Sequence, residues 1–176
     1  MTRVIYMDLA RCTHCRACEV ACEREHAGHS NIFVQLVDER LSIPINCRHC
    51  GDSPCIHVCP THALHRETDE VVTIAPMLCI GCGLCVLACP FGAIWPDAVD
   101  KVSRKCDLCL HRLRDGLDPA CVATCSARAL SFGEMDSIIE LSSGMPGRTV
   151  VSRAAGTTGT VVHFPDGWDH GRRGMS

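Results

Sequence analysis

Aromatic side chains are scarce in this sequence, where Phe, Trp and Tyr together make up only 4% of the 176 residues. Aromatic residues usually supply much of the buried area of a protein core. The hydrophobic fraction of 47% also overstates the core, because it counts 16 cysteines. We therefore expect bound metal to replace part of the missing apolar core, and the metal-free chain to be largely unfolded.

We also expect no secretory leader. Only eleven residues precede Cys12, and they contain neither an apolar segment nor a small-residue cleavage site. Disulfide-rich proteins belong to oxidising compartments, so a disulfide framework is the less favoured explanation for the cysteines. The sequence predicts a cytoplasmic protein with reduced cysteines.

The chain has one apolar stretch of membrane-spanning length, Leu78 to Trp95. It contains four cysteines, and glycines and Pro90 interrupt it. A bilayer does not tolerate such polar ligands and broken helix, so we expect no direct membrane insertion.

No catalytic motif is recognisable. There is no Walker-type loop, and Gly81-Cys82-Gly83 belongs to a cysteine run rather than to a dinucleotide fingerprint. Ser, His and Asp occur without the spacing of a triad. We predict a non-catalytic protein, and a flavin or nicotinamide would belong to a partner.

The cysteines themselves follow a regular pattern. Residues 79–90 read C-x2-C-x2-C-x3-C-P, in which three cysteines bind one iron-sulfur cube and the fourth ligates another. Each of four runs opens with Cys-x2-Cys and closes with Cys-x3-Cys. The runs are Cys12, Cys15, Cys18, Cys22; Cys47, Cys50, Cys55, Cys59; Cys79, Cys82, Cys85, Cys89; and Cys106, Cys109, Cys121, Cys125.

The fourth-cysteine rule predicts how the runs pair, because each run needs a partner run. Runs two and three exchange their last cysteines, and runs one and four do the same, since nested pairs avoid crossing connections. The predicted sites are Cys47, Cys50, Cys55, Cys89; Cys59, Cys79, Cys82, Cys85; Cys12, Cys15, Cys18, Cys125; and Cys22, Cys106, Cys109, Cys121.

Four 4Fe-4S clusters of about −2 each would take the formal charge from −3 to about −11. Several basic residues beside the ligands then serve as local counter-charge, with ordinary solvated side chains as the alternative, and no nucleic-acid partner is expected. These residues are Arg11, Arg16, Arg48, Arg104 and Lys105.

Alternatives to the cluster ligands are weaker. Zinc sites also use C-x2-C pairs, but they seldom use three cysteines at two-residue intervals before Cys-Pro. A thiol redox enzyme would need a free cysteine, and all sixteen are assigned. His14 and His49 lie inside cysteine loops, and we interpret them as loop residues or modest tuners of potential.

The expected fold class is α+β, with two bacterial-type dicluster ferredoxin-like domains related by internal duplication. The inner domain comprises residues 38–98, and the outer domain comprises residues 1–37 plus 99–140. Cys-x3-Ala-(Leu/Ile) recurs after Cys59, Cys89 and Cys125, which supports duplication. Residues 141–176 are rich in Gly, Ser, Thr and Arg, and we predict an extended C-terminal arm that docks on a partner, with disorder as the alternative.

In the second run, residues 51–54 separate the second and third cysteines, and in the fourth run residues 110–120 do so. Four such runs resemble the four-cluster ferredoxin-like electron-transfer subunits of multisubunit redox enzymes. That family includes the small subunits of formate dehydrogenase, dimethyl sulfoxide reductase and tungsten aldehyde oxidoreductase, and those of hydrogenase and carbon monoxide dehydrogenase complexes. The resemblance covers residues 1 to about 135.

The resemblance implies a chain that relays single electrons between a catalytic subunit and another carrier. A tungsten or molybdenum partner is favoured, and the further carrier is a flavin/NAD subunit or a ferredoxin. The alternatives are a free-standing polyferredoxin shuttle and a subunit of a hydrogenase or carbon monoxide dehydrogenase.

Overall fold

The computed structural model describes residues 3–39, 41–134, 136–138, 140, 148–152 and 160–164. The strands are β1 (Arg3–Asp8), β2 (Phe33–Val37), β3 (Leu41–Ile45), β4 (Leu64–Arg66), β5 (Val72–Ile74), β6 (Ile94–Pro96), β7 (Ser103–Lys105), β8 (Leu130–Glu134), β9 (Arg148–Ser152) and β10 (Thr160–Phe164). The helices are α1 (Ala17–Glu25), α2 (Pro54–His57), α3 (Leu84–Ala88), α4 (Leu110–Arg114) and α5 (Ala120–Ala123). This is a small mixed helix-and-strand fold with short sheets.

The largest sheet has the strand order β8-β1-β10-β9. β1 pairs antiparallel with β8, so that Ile5 faces Phe132 in the register, and it pairs parallel with β10. Ile5 and Met7 are fully buried in the core beneath this sheet. Val4 to Met7 is a short apolar run that predicts a strand, and β1 confirms it.

Three two-stranded hairpins surround the middle cysteine runs: β2 with β3, β4 with β5, and β6 with β7. The sequence from Thr68 to Ile74 predicts a hairpin arm with its turn at Asp69-Glu70, and β5 with its preceding turn confirms it. The polar sequence from Asp97 to Lys105 predicts a connector between the third and fourth cysteine runs, and this is wrong at its end, where β7 forms. The inward-facing residues of β7 are Ser103 and Lys105, so hydrophobic alternation does not reveal this strand.

The short helices bring the cysteine runs together. α1 packs on α5 and α2 packs on α3, and the third cysteine of each run lies in one of these helices. Since the fourth cysteine follows about one turn later, each packed helix pair places the last cysteine of one run beside the other run.

The repeated Cys-x3-Ala-(Leu/Ile) segments share one local structure. The residues before the alanines, His62, Gly92 and Arg128, have left-handed φ values of 54°, 58° and 51°. Each donates its backbone N–H to the carbonyl of the cysteine three residues earlier. The alanine and the following residue are then buried as β4, β6 and β8 begin.

Most of the predicted C-terminal arm, residues 141–147, 153–159 and 165–176, lies outside the described residues. The described parts are β9 and β10, which extend the β1 sheet. The apolar stretch from Leu78 to Trp95 is divided among a 3-10 turn, α3 and β6. In the part of the chain that the structure describes, no helix has the length and apolarity needed to cross a bilayer.

Candidate metal centres

The two inner quartets each line a small cavity. Cys47, Cys50, Cys55 and Cys89 line one cavity, and the first three come from run two while the fourth comes from run three. The second cavity is lined by the reciprocal set, which is Cys59, Cys79, Cys82 and Cys85. The structure therefore brings together both quartets expected for runs two and three.

The outer runs interleave in the same way. Burial raises the pKa of Cys12, and the nearby charges of Cys125 and Cys15 raise it further. Burial is likewise the main cause that raises the pKa of Cys18 to about 12, and Cys12 adds to it. Cys15, Cys18 and Cys125, the other members of this predicted quartet, are therefore all close enough to Cys12 to interact with it electrostatically.

The last predicted quartet is the most buried. Burial raises the pKa of the Cys121 thiol, and the nearby negative charges of Cys109 and Cys22 raise it further. Burial also raises the pKa of the Cys106 thiol, and among its charged neighbours Cys121 adds most to the rise. All sixteen cysteines are free of disulfides.

One backbone feature is common to the four runs. The residue just before the second cysteine is left-handed in each, with φ of 58° at His14, 47° at His49, 68° at Gly81 and 60° at Leu108. A residue with a Cβ in this region costs roughly 1–2 kcal/mol. The turn folds the loop back on itself and aims successive side chains at one point, which is the geometry that wraps a compact ligand.

Backbone N–H groups point at several of the sulfurs. Donor–sulfur distances lie between 3.2 and 3.5 Å for the N–H groups of Asn31 to Cys22, His49 to Cys47, Ala93 to Cys89, Ser103 to Cys79 and Leu108 to Cys106. Such bonds stabilise a thiolate and, in iron-sulfur proteins, set the reduction potential. At Cys59 burial raises the pKa, but hydrogen bonds from backbone N–H groups and from the Thr61 hydroxyl together outweigh it and lower the pKa.

The buried thiols need a cation before they can ionise together. Burial raises the pKa of Cys55 to about 11, and the charge of Cys47 contributes to the rise. A quartet of thiolates in such surroundings is therefore unfavourable by itself, while a positively charged iron core supplies the missing charge.

Arg48 provides a separate test of whether a 4Fe-4S cluster fits. Its Nε and Nη1 atoms are buried and have no hydrogen-bond partner among the described residues. The guanidinium carbon lies 5.6 Å from the centroid of the Phe91 ring, and its charged neighbours are Cys47, Cys50 and Cys89. A net anionic cluster held by that quartet would compensate this buried cation, so the residues present fit the group.

Two family models match this protein. One, a 4Fe-4S dicluster domain, covers residues 38–135, and another, a 4Fe-4S binding domain, covers residues 9–25. The chain therefore belongs to the 4Fe-4S dicluster family. The first match contains runs two to four, and the second contains run one.

Several curated proteins are similar to this chain over most of its sequence. An anaerobic dimethyl sulfoxide reductase chain of Escherichia coli is 32% identical over 92% of this protein and 87% of the relative. Thiosulfate reductase electron transfer subunit PhsB of Salmonella typhi is 38% identical over 76% of each protein. A tetrathionate reductase subunit of Salmonella typhimurium is 33% identical over 73% of this protein and 56% of the relative. These relatives confirm the resemblance found in the sequence.

Ligand loops of 4Fe-4S proteins vary in length, and here Arg66 supports the widened loop of run two. Its guanidinium donates to the carbonyl oxygens of Cys50 and Gly51 at 2.5 and 2.8 Å and to Ser53 Oγ at 3.0 Å. The Ser53 hydroxyl in turn donates to the Cys50 carbonyl. The four residues between Cys50 and Cys55 thus form a fixed turn that leaves the cysteines converging on their cavity.

His26 is a 4Fe-4S site neighbour that sequence reasoning did not single out. Its Nε2 lies 2.9 Å from Asp107 Oδ1, and its Nδ1 lies 2.9 Å from the Cys22 carbonyl and 3.6 Å from Cys22 Sγ. The hydrogen bond to Asp107 is the main cause that raises the pKa of His26. The pair joins run one to run four, and a separation of 81 residues left no local signal for it.

Two glycines of run three provide a matched test of the ligand loop. A Cβ at Gly81 would lie 2.3 Å from the Lys101 carbonyl oxygen, whereas one at Gly83 would meet nothing within 4 Å. Both have left-handed φ, so Gly83→Ala measures the conformational cost alone. We expect Gly81→Ala to cost about 2 kcal/mol more, or about 4–8 °C in the Tm of the iron-loaded protein. Equal Tm values for the two variants would show that the loop moves away from Lys101 without cost.

Proposed function

We propose that this protein is the electron-transfer subunit of a multisubunit oxidoreductase and relays single electrons through four 4Fe-4S clusters. The observation that carries the proposal is the pair of cavities lined by Cys47, Cys50, Cys55, Cys89 and by Cys59, Cys79, Cys82, Cys85. A 4Fe-4S cluster accepts and releases one electron at a potential set by its ligands and surroundings. The named relatives, reductase chains and electron-transfer subunits, support the same role.

The neighbours of each quartet suggest a linear order. Cys18 of the first outer quartet is a charged neighbour of Cys121 in the second. Cys106 of that second quartet is in turn a charged neighbour of Cys47 in an inner quartet. Both inner quartets share one apolar cluster, which contains Cys55 and Cys85. We therefore propose that the site of Cys12 comes first, followed by the site of Cys22, the site of Cys47 and the site of Cys59.

Each end of that order reaches the surface. Cys15 and Cys82 are the exposed members of the two terminal quartets. The surroundings differ, because Cys82 lies in a run with exposed apolar side chains, whereas the exposed residues beside Cys15 are polar. We define the apolar face by Met77, Leu78, Ile80 and Leu87, which are 94%, 52%, 66% and 85% exposed.

An apolar face of this kind suits a permanently bound subunit, since obligate interfaces are more hydrophobic than transient ones. We propose that another subunit of the oxidoreductase complex covers it. The polar end then faces the second redox partner. Of the two partners, one is the catalytic subunit, for which a tungsten or molybdenum enzyme is favoured, and the other is a further carrier.

The remaining features of the proposal come from the sequence. They are the internal duplication, the domain limits 38–98 and 1–37 plus 99–140, the docking role of the arm and a cytoplasmic location. A free-standing polyferredoxin shuttle is the second candidate. The apolar face favours the subunit, because a shuttle would leave it exposed to water.

A charge placed on the apolar face tests the proposal. We expect Leu87→Glu to lose the co-purifying large subunit and to keep its full iron content, because the side chain is exposed and does not support the ligands. Leu117→Glu is the control, since Leu117 is 51% exposed and lies in run four, away from this face in sequence. Purification from the native host, followed by size exclusion and iron analysis, measures both. A wild-type protein that elutes alone with its iron would favour the shuttle.

A further inference from the structure

The sequence contains only two lysines, and the fold treats them in opposite ways. Lys101 is exposed, but Lys105 on β7 has only 6% of its surface accessible. A buried ammonium is costly unless it is paired, so the surroundings of Lys105 should identify its counter-charge.

The direct contacts of Lys105 are neutral. Its Nζ donates to the carbonyl oxygen of Val72 and, at 2.7 Å, to the carbonyl oxygen of Cys106. None of the ion pairs between described residues includes it. Two carbonyl dipoles solvate an ammonium but do not neutralise it.

Lys105 lies between the two middle quartets. Through Cys106 it touches the quartet that includes Cys22, and it is also a charged neighbour of Cys55 in the quartet that includes Cys47. The backbone of Val72 connects Lys105 to the loop of Cys47. Its N–H donates to His49 Nδ1 at 3.1 Å, and its carbonyl oxygen accepts a hydrogen bond from Lys105. His49 is itself buried between Cys47 and Cys50. Since its Nδ1 accepts that hydrogen bond, His49 is uncharged, and the buried cation at this place is Lys105.

We propose that Lys105 is a buried counter-ion shared by the two middle clusters, and that its charge makes both of them easier to reduce. The inference rests on the proposed cluster sites and adds a residue that is not a ligand. Reduction adds one negative charge to a cluster, and a fixed cation in a low-dielectric site favours the reduced state. The positive charge also reduces repulsion between the two anionic groups that Cys47 and Cys106 bring close.

Amine labelling of the intact, iron-loaded protein tests the burial. With an acetylating reagent and mass spectrometry, we expect Lys101 to react at least about tenfold faster than Lys105, because the latter has both little exposure and two acceptors. Removal of the clusters should abolish the difference. Equal rates in the loaded protein would overturn the inference.

The potentials test the charge. In an EPR-monitored titration, Lys105→Met and Lys105→Gln should lower the ratio of reduced to oxidised middle clusters at fixed potential by about tenfold, which is about 59 mV for one electron. The middle signals are assigned beforehand with Cys109→Ser and Cys50→Ser. Lys101→Met is the matched control and should shift none of the four.

The outcomes separate charge from structure. Both variants remove the charge, but glutamine keeps a hydrogen-bond donor for the two carbonyls. A shift of the potentials in the Met variant alone would therefore overturn the counter-ion role. Full iron content with unchanged potentials in both variants would also overturn it. Iron loss confined to the two middle sites would support it. A wild-type protein with no 4Fe-4S signal would refute the proposed function itself, which is a different result from any of these.

Discussion

Removal of iron is expected to abolish the cooperative unfolding transition of this protein. A structural metal site contributes roughly 10–16 kcal/mol to small metal-dependent folds, whereas a whole domain is usually stable by only about 5–15 kcal/mol. Four sites in 176 residues therefore outweigh the stability that apolar packing provides. The chain without iron should lack a folded state under native conditions.

The position of the cysteines within the cores is the structural reason. Cys18, Cys22 and Cys121 are buried in the cluster that also contains Ile5 and Met7 of β1. The inner core is built in the same way around Cys55 and Cys85, and its helices α2 and α3 have only 4 and 5 residues. Helices this short are not stable alone. Even the β1 sheet, whose strands contain no cysteine, should lose the protection of its amides from hydrogen exchange.

Circular dichroism and hydrogen exchange measure this, before and after anaerobic iron chelation. Restored iron and sulfide should recover both the visible absorbance and the slow amide exchange of β1 and β8. Mock treatment without chelator controls for denaturation by handling. A cooperative thermal transition in the iron-free chain would contradict the prediction and assign the stability to apolar packing.

The parts of the fold that sequence reasoning could reach were those with a local pattern. The period of the cysteines predicted which quartets would meet, and the inner cavities contain those sets. The apolar run from Val4 to Met7 indicated β1, and the segment from Ile32 to Val37 indicated β2. The recurring Cys-x3-Ala-(Leu/Ile) segment at Cys59, Cys89 and Cys125 indicated that these three cysteines have the same role, and all three segments have the same turn followed by a strand.

The parts that escaped depend on contacts between distant segments. In the sequence, Lys105 is one more basic residue beside a ligand. Only the pairing of β7 with β6 shows that its side chain faces the interior. Of the basic residues that we interpreted as counter-charge, Arg11 and Arg104 instead pair with Asp8 and Asp97. Solvation, pairing and burial give these cations different roles, and no local spacing distinguishes them.

The interleaving of the runs is expected to appear as non-additive iron loss in double variants. Cys55 and Cys59 belong to the same run, four residues apart, but line different cavities. Each single Cys→Ser variant should lose one cluster, from about sixteen irons to about twelve. Cys59→Ser combined with Cys82→Ser should lose no more than either alone, because both remove ligands of one site.

The matched pair is Cys59→Ser with Cys50→Ser, whose cysteines share a run but not a site. Iron should fall to about eight per chain, because two clusters are lost. If each run instead bound its own cube, the two results would be reversed, with Cys59 and Cys50 non-additive and Cys59 and Cys82 additive. Iron and sulfide analysis of anaerobically purified protein decides between the two arrangements without any knowledge of the partner. Because additivity holds only for independent sites, the comparison reads the ligand pairing directly.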